Sequence, residues 1–344
     1  MLLLILFLIL FGILGFLALT EYRPADREAL ELVGSTVNTL APGESLTVMT
    51  WTIGYGALDE NEDFFMAGGK TVKVKDAGLV QHNLNAILAE IKEDRPDILF
   101  LQEIDVKSSR SCHINELAML RRYLDGFVSS FAYNFKVAFV PYPIPPLGKV
   151  SSGLSTFSRF SVASAERVQL PIPFSWPARM VNLKRCALIT RLPVEGSEHE
   201  LVLFNLHLEA FDHGEGKSAQ TEKAAEMMAA EREKGNYIIA GGDFNQFFST
   251  ANIDAYPIQP GKWMPSKLDT DRFPGSWQFL MDSTTPSCRS LDRPYAGADK
   301  NTFQYYLIDG FILSDNITVE SFAAMDLGFA VSDHNPVVMN IVLR

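Results

Sequence analysis

The sequence is poor in cysteine, with only Cys112, Cys186 and Cys288 in 344 residues. Three thiols cannot make the paired framework that staples small secreted domains. Cys186 lies in an apolar run and is expected in the core, while a Cys112–Cys288 bridge stays open. Positive charge is also scarce: 30 Lys and Arg against 41 Asp and Glu give a net charge of −11. Repulsion of that size argues against a general binder of polyanions, although it leaves room for a local basic pocket. Internal repeats and low-complexity segments are absent from the domain. The hydrophobic content of 47% and charged content of 21% are those of an ordinary globular protein. The length admits one large domain or two small ones.

The stretch 2–19 has no charge and consists of Leu, Ile, Phe, Ala and Gly. It is at the threshold length for a membrane-spanning helix, and it has no polar face to suit a core helix. A cleaved signal peptide is the rival, but the basic leader and small-x-small cleavage site are not evident. Residues 1–20 are therefore read as a transmembrane signal-anchor. Arg23 and Arg27 after the span lean toward a cytoplasmic body, whereas an anchor at the N-terminus most simply exports the chain beyond it. The expectation is a single-pass membrane protein with an extracytoplasmic catalytic domain. Residues 21–44 read as a polar stalk with room for a short helix, and 45–344 as the globular domain.

Within that domain, Leu46–Ile53, Ile98–Leu101, Gly153–Phe157, Arg185–Arg191, Leu201–Leu206, Tyr237–Ala240, Tyr305–Leu313 and Val337–Leu343 have the apolar patterning of strands. Helical spacing runs through Leu84, Ile87, Leu88 and Ile91 until Pro96 forbids continuation. Further helices are expected over 114–123 and 218–234, the latter with Met227 and Met228 as core filler. Pro141–Pro146 must be a loop. Single-residue alternation suggests sheets packed face to face with helices outside, a four-layer α/β sandwich.

The chemistry gathers at strand ends. Gly241-Gly242-Asp243-Phe244-Asn245 follows the Tyr237 strand, and its glycines permit a tight turn. Glu103, Asn205 with His207, Asp309, and Asp333 with His334 end four other apolar runs. A single such acid is ordinary turn chemistry, but five strand ends of one kind suit metal-assisted phosphoester cleavage. Hard Mg²⁺ takes carboxylate oxygens, amides and imidazoles stabilise developing negative charge, and a histidine or aspartate positions or deprotonates water.

The order Gln102-Glu103, Ser158-Arg159, Asn205-x-His207-Leu208, Gly242-Asp243-Phe244-Asn245, Ile308-Asp309 and Ser332-Asp333-His334-x-Pro336 resembles the endonuclease/exonuclease/phosphatase superfamily, from about Val48 to Val338. The resemblance implies a DNase I-like fold of two packed mixed β-sheets flanked by helices. It implies Mg²⁺, with Mn²⁺ as an alternative, held by Glu103 with Asp333. It makes His334 the catalytic histidine, oriented by Asp309. Asp243 would hold the attacking water or a second metal, and Asn205, Asn245 and His207 would face the phosphate. Arg185 matches a supporting position, with a strand-end surface charge as the other reading. His82, His113, His199 and His213 match no motif and read as surface or structural residues.

One position departs from the pattern. Thr52 stands where the superfamily carries a metal-assisting asparagine, and its hydroxyl is a shorter and poorer ligand. Two functions of different classes are open: an active metal-dependent phosphodiesterase or phosphatase, with a DNase I-like endonuclease among the options, or a phosphate-binding module that has lost turnover. Lipid headgroups or small phosphoesters are favoured as substrates over nucleic acid, because a membrane anchor raises the effective concentration of lipid alone. A monomer is expected.

Overall fold

The computed structural model describes residues 1–212 and 215–344; His213 lies outside the described residues. Four helices stand out: α1 (Leu2–Thr20), α2 (Ala77–Asp94), α3 (Glu116–Tyr123) and α4 (Glu215–Glu233). Asp76 caps α2 by accepting the Gly78 N–H at 2.7 Å, and Arg95, just before Pro96, ends it in a left-handed turn.

Two mixed sheets form the body. One has seven strands in the spatial order Arg27–Ala29, Ser164–Gln169, Cys186–Pro193, Glu200–His207, Tyr237–Asp243, Asp309–Ser314 and Trp277–Leu280. The other has six: Ile317–Ala324, Val337–Leu343, Ser45–Thr52, Ile98–Asp105, Gly148–Ser158 and Val128–Val140. Each sheet contains one parallel pair joined through a helix, α2 between the Ser45 and Ile98 strands and α4 between the Glu200 and Tyr237 strands.

Strand alternation sorts the apolar side chains into layers. Val48, Phe100 and Met339 meet Leu203, Ile239 and Phe311 between the sheets. Ile238, Ala240 and Phe204 point the other way, onto Ala224 and Met228 of α4. Leu99 and Leu101 pack on Leu84, Ile87 and Leu88 of α2. The result is helix, sheet, sheet, helix, the architecture expected from the sequence.

The segment 21–44 corrects the expected stalk. Arg27–Ala29 pairs antiparallel with Ser164–Gln169 as an edge strand, and Val33 bridges Ser129. Leu40 is fully buried in the inter-sheet core and bridges Val194. These polar residues satisfy their backbone groups on the sheet edge, so the globular body begins near residue 21. The three cysteines are free, which closes the Cys112–Cys288 question. Leu3–Thr20 of α1, with mean hydropathy 2.9, is long and apolar enough to cross a membrane.

Candidate active site

Strand register builds the first half of the site. On the Tyr237 strand Asp243 pairs with His207 on one side and with Asp309 on the other. Three polar residues thus occupy one row across three strands. Gly242 makes the close pairing feasible: with φ +139°, an added Cβ would lie 1.9 Å from the Leu206 carbonyl oxygen. Just beyond the row, Asn245 adopts φ +50°. Its N–H donates to Asp243 Oδ1 at 2.7 Å, and its amide donates to the Leu208 carbonyl at 2.9 Å and Asp243 Oδ2 at 3.3 Å.

The second half comes from the other sheet. The Ile98 strand continues to Asp105 through a register shift between Leu101 and Ile104, and Glu103 sits in that bulge at φ +58°. A bulge re-aims one side chain, and here it turns Glu103 toward the cleft. The Ser332–Asn335 turn is pinned from several sides. Ser332 Oγ donates to the Thr52 carbonyl at 2.7 Å, and the Trp51 indole donates to the His334 carbonyl at 2.9 Å. The Arg289 N–H donates to the Asp333 carbonyl at 3.0 Å.

These elements meet in a cleft of about 680 Å³ lined by Glu103, Arg185, His207, Asp243, Asn245, Asp333 and His334. His334 Nδ1 lies 2.8 Å from Asp309 Oδ2. Its Nε2 faces Asp333 Oδ2 at 3.9 Å and Asp243 Oδ2 at 4.0 Å. Burial alone would discharge the imidazole, but Asp309 beside it raises its proton affinity well above the ordinary value. His207 goes the other way. Burial, with Arg185 nearby, holds it well below the usual range and therefore neutral, and its Nε2 lies 3.3 Å from Asp243 Oδ2. Burial and the Asp309 charge push the Asp243 carboxyl up to about 8.

The profile described as Endonuclease/Exonuclease/phosphatase family matches residues 80–334. The chain belongs to that family. No curated protein matches. Among solved structures, the endonuclease/exonuclease/phosphatase from Beutenbergia cavernae DSM 12333 is similar at TM-score 0.57 and 20% identity, over 87% of this chain and 72% of that one. D. rerio TDP2 complexed with single strand DNA product is similar at TM-score 0.54 and 12% identity, over 87% of this chain and 99% of that one. ANGEL2, a 2′,3′-cyclic phosphatase, in complex with adenosine-2′,3′-vanadate is similar at TM-score 0.57 and 13% identity, over 91% and 98%. At these identities the likeness is one of fold.

The donor set of this family member fits a hard divalent ion. Burial raises the proton affinity of both Glu103 and Asp333, and the Asp333 charge raises that of Glu103 further. Two such groups sharing a cleft favour a cation between them. Asp243, Asp309 and His334 form a further group with ligand atoms mutually within 4.8 Å, and so do Cys288, Asp333 and His334. The Cys288 thiol is pushed up to about 12 by burial, so it stays protonated and suits a soft metal poorly.

Two expected site residues lie elsewhere. Asn205 is fully buried beneath the cleft: its Oδ1 accepts from Gln102 at 2.8 Å, and its Nδ2 donates to the Leu101 and Ser155 carbonyls at 3.3 and 2.9 Å. That amide is saturated by protein and has nothing left for a phosphate. Thr52 is equally buried and donates to Gln102 Oε1 at 3.2 Å, outside the cleft lining. Ser158 turns its hydroxyl to the Phe160 carbonyl, and Arg159 lies over Phe127. Arg185 is buried in the cleft wall, 3.7 Å from Glu209, so the surface-charge reading falls. His82, His113 and His199 are exposed. Tyr55, Arg110 and Arg289 also line the cleft, and none was expected from the sequence. Each stands in a loop or short ribbon without local motif, and only the tertiary fold brings it in.

Proposed function

We propose that this family member is a divalent-metal-dependent hydrolase of phosphoester bonds, acting by in-line attack of water. The observation that carries the reading is the meeting of two sets in one cleft: His207 and Asp243 of the row that Asp309 completes, and Glu103 with Asp333 and His334 from the other half of the site. Glu103 and Asp333 would hold Mg²⁺ or Mn²⁺, which when bound polarises the phosphoryl group and offsets its developing charge. Asp309 fixes the His334 ring and keeps it charged, so its Nε2–H is a donor toward a phosphoryl oxygen. Asp243 has a proton affinity suited to general-base work near neutrality, and neutral His207 and the Asn245 amide hold its carboxylate in place. Arg185 adds positive charge to the cleft wall.

Purified full-length chain in detergent is expected to cleave a generic phosphodiester or phosphomonoester with Mg²⁺ or Mn²⁺ and to stop with EDTA. His334→Ala and Asp243→Ala are each expected to lower kcat about 10²–10⁴-fold. Unchanged rates in both variants would sink the residue assignment. Binding of phosphate ligands without turnover under any divalent ion would favour the degenerate-module reading instead.

Endonuclease activity is a second reading, supported by the fold likeness to a structure holding a single strand DNA product and by Arg110, Arg185, Lys262 and Arg289 in the cleft lining. A membrane-proximal or small extracytoplasmic phosphoester remains the favoured substrate, because α1 would keep the cleft near a bilayer. One metal-loaded preparation assayed against DNA, RNA, phospholipid vesicles and small phosphoesters separates these readings.

A further inference from the structure

The rim of the catalytic cleft is continuous with the face of the domain from which α1 emerges. Phe64, Met66 and Ala67 line the cleft. Their neighbour Phe65 packs edge-on against Tyr142, with ring centroids 5.9 Å apart. Tyr142 and Ile144 lie at the tip of the hairpin joining the Val128 and Gly148 strands, 69% and 96% exposed. Phe139 and Met66 are exposed beside them. Below the tip, Val137, Val140, Leu147 and Val150 pack with Val72 and Val181. α1 packs against the helical turn Ala178–Val181 and the Val128 strand. Thr20, at the end of α1, lines one groove with Lys107, Lys136 and Lys149.

Charge on this face runs against the rest of the molecule. The chain carries −11 overall, yet Lys70, Lys73 and Lys75 lie at the surface on the loop that contributes Val72, and Lys136 and Lys149 are exposed on the hairpin. Glu62 stands beside Thr71 on the same loop, while other nearby acids hold specific partners. Asp63 is buried and accepts the Lys70 and Thr71 N–H groups, and Asp76 caps α2. Glu21 is paired with Arg23, Arg179 and Lys184. An apolar tip backed by a belt of lysines matches the layering of a bilayer surface, with acyl chains under anionic phosphates. Lysine stems reach along the apolar surface while their ammonium groups stay at phosphate level.

We propose that the hairpin tip, through Phe139, Tyr142 and Ile144, seats with Met66 in the outer layer of the bilayer that α1 enters. Seating there turns the mouth of the cleft onto phospholipid headgroups. Resting on the hydrolase reading above, the substrate is a headgroup phosphoester presented in the plane of the membrane. Hydrolysis would add water across a P–O bond of the headgroup: the water oxygen joins phosphorus, the leaving oxygen takes a proton, and no oxidant or reductant is involved.

The test uses full-length chain reconstituted in vesicles of phosphatidylcholine with a fraction of phosphatidylserine. In a Cys112→Ser background, Ile144→Cys carries an environment-sensitive fluorophore. Glu226→Cys, on the exposed side of α4, carries the same label as control. Acyl-chain quenchers are expected to reduce emission at position 144 about two-fold or more and to leave position 226 nearly unchanged. Equal quenching at both positions overturns the docking. Ile144→Asp is expected to lower cleavage of vesicle headgroups about ten-fold while a small soluble phosphoester is cleaved at the original rate. Equal loss on both substrates, or loss on neither, overturns the headgroup assignment. A preparation inactive on every phosphoester refutes the hydrolase reading and with it the substrate, while the quenching contrast still decides the docking.

Discussion

Behind Glu103 lies a buried charge cluster whose contribution to stability is set by how its members pair. Asp105 is fully buried and accepts from Arg110 Nε and Nη2, both at 3.0 Å, and from Ser111 Oγ at 2.9 Å. The Arg110 guanidinium also donates to Ser152 Oγ at 3.2 Å and stacks 3.6 Å from the Tyr55 ring centroid. Glu116 completes the cluster by accepting the Asp105 N–H at 2.8 Å; burial, with Asp105 beside it, raises its proton affinity well above the ordinary carboxylate range. Removing one partner of such a pair leaves an uncompensated buried charge, which costs about 3–5 kcal/mol. Asp105→Ala and Arg110→Met should each lose that much. The double variant removes both members of the pair together and should lose only about 1–2 kcal/mol. Urea unfolding of the detergent-solubilised chain, followed by tryptophan fluorescence, to which buried Trp51 contributes, gives the comparison. Each single variant is expected to lower the midpoint by about 1 M or more at constant slope. If the double variant costs the sum of the two singles, or Asp105→Ala costs under about 1 kcal/mol, the ion pair is not what holds this wall of the cleft.

Gly242→Ala places a methyl group 1.9 Å from the Leu206 carbonyl oxygen, so the strands beside Asp243 must part; a loss of about 3 kcal/mol or more is expected, and a variant within about 0.5 kcal/mol of the parent in thermal unfolding would contradict this strand register. Glu231 offers a pH test far from the cleft: burial would raise its carboxyl, but hydrogen bonds from Arg191 and Lys234 overcome this and bring it to about 2. A carboxyl depressed on folding adds stability above its unfolded value near 4.5 and loses it as pH falls toward 2. Glu231→Gln should therefore be about 1–2 kcal/mol less stable at pH 7 and converge with the parent near pH 2; parallel stability curves across that window would refute the pairing.

The site was legible in the sequence where short motifs end apolar runs, because a strand end in a packed sheet has only one open direction. His207, Asp243, Asp309, Asp333 and His334 were placed on that basis. Asn205 shows the limit. It shares a strand face with His207, two residues away, but that step takes it one pleat deeper, between the sheets, where Gln102 and two carbonyls claim its amide. Periodicity reports a face and not a depth. The same holds for Thr52, whose hydroxyl is taken by Gln102. The Arg27–Ala29 strand escaped notice because a three-residue edge strand of Arg, Glu and Ala has no apolar rhythm. The long Val128–Val140 strand escaped for another reason: two register shifts break its alternation. Arg110 and Arg289 reach the cleft through contacts distant in the chain, which no local pattern encodes.

The row of His207, Asp243 and Asp309 across three hydrogen-bonded strands also bears on how the protein fails when heated. These side chains share the backbone ladder of the central sheet, so the constellation cannot loosen while the sheet stays intact. Amide protons of Gly241, Gly242 and Asp243 should exchange with solvent only through whole-domain opening. Thermal inactivation should then track the melting of the sheet as a single event, with no partly active intermediate at temperatures below it.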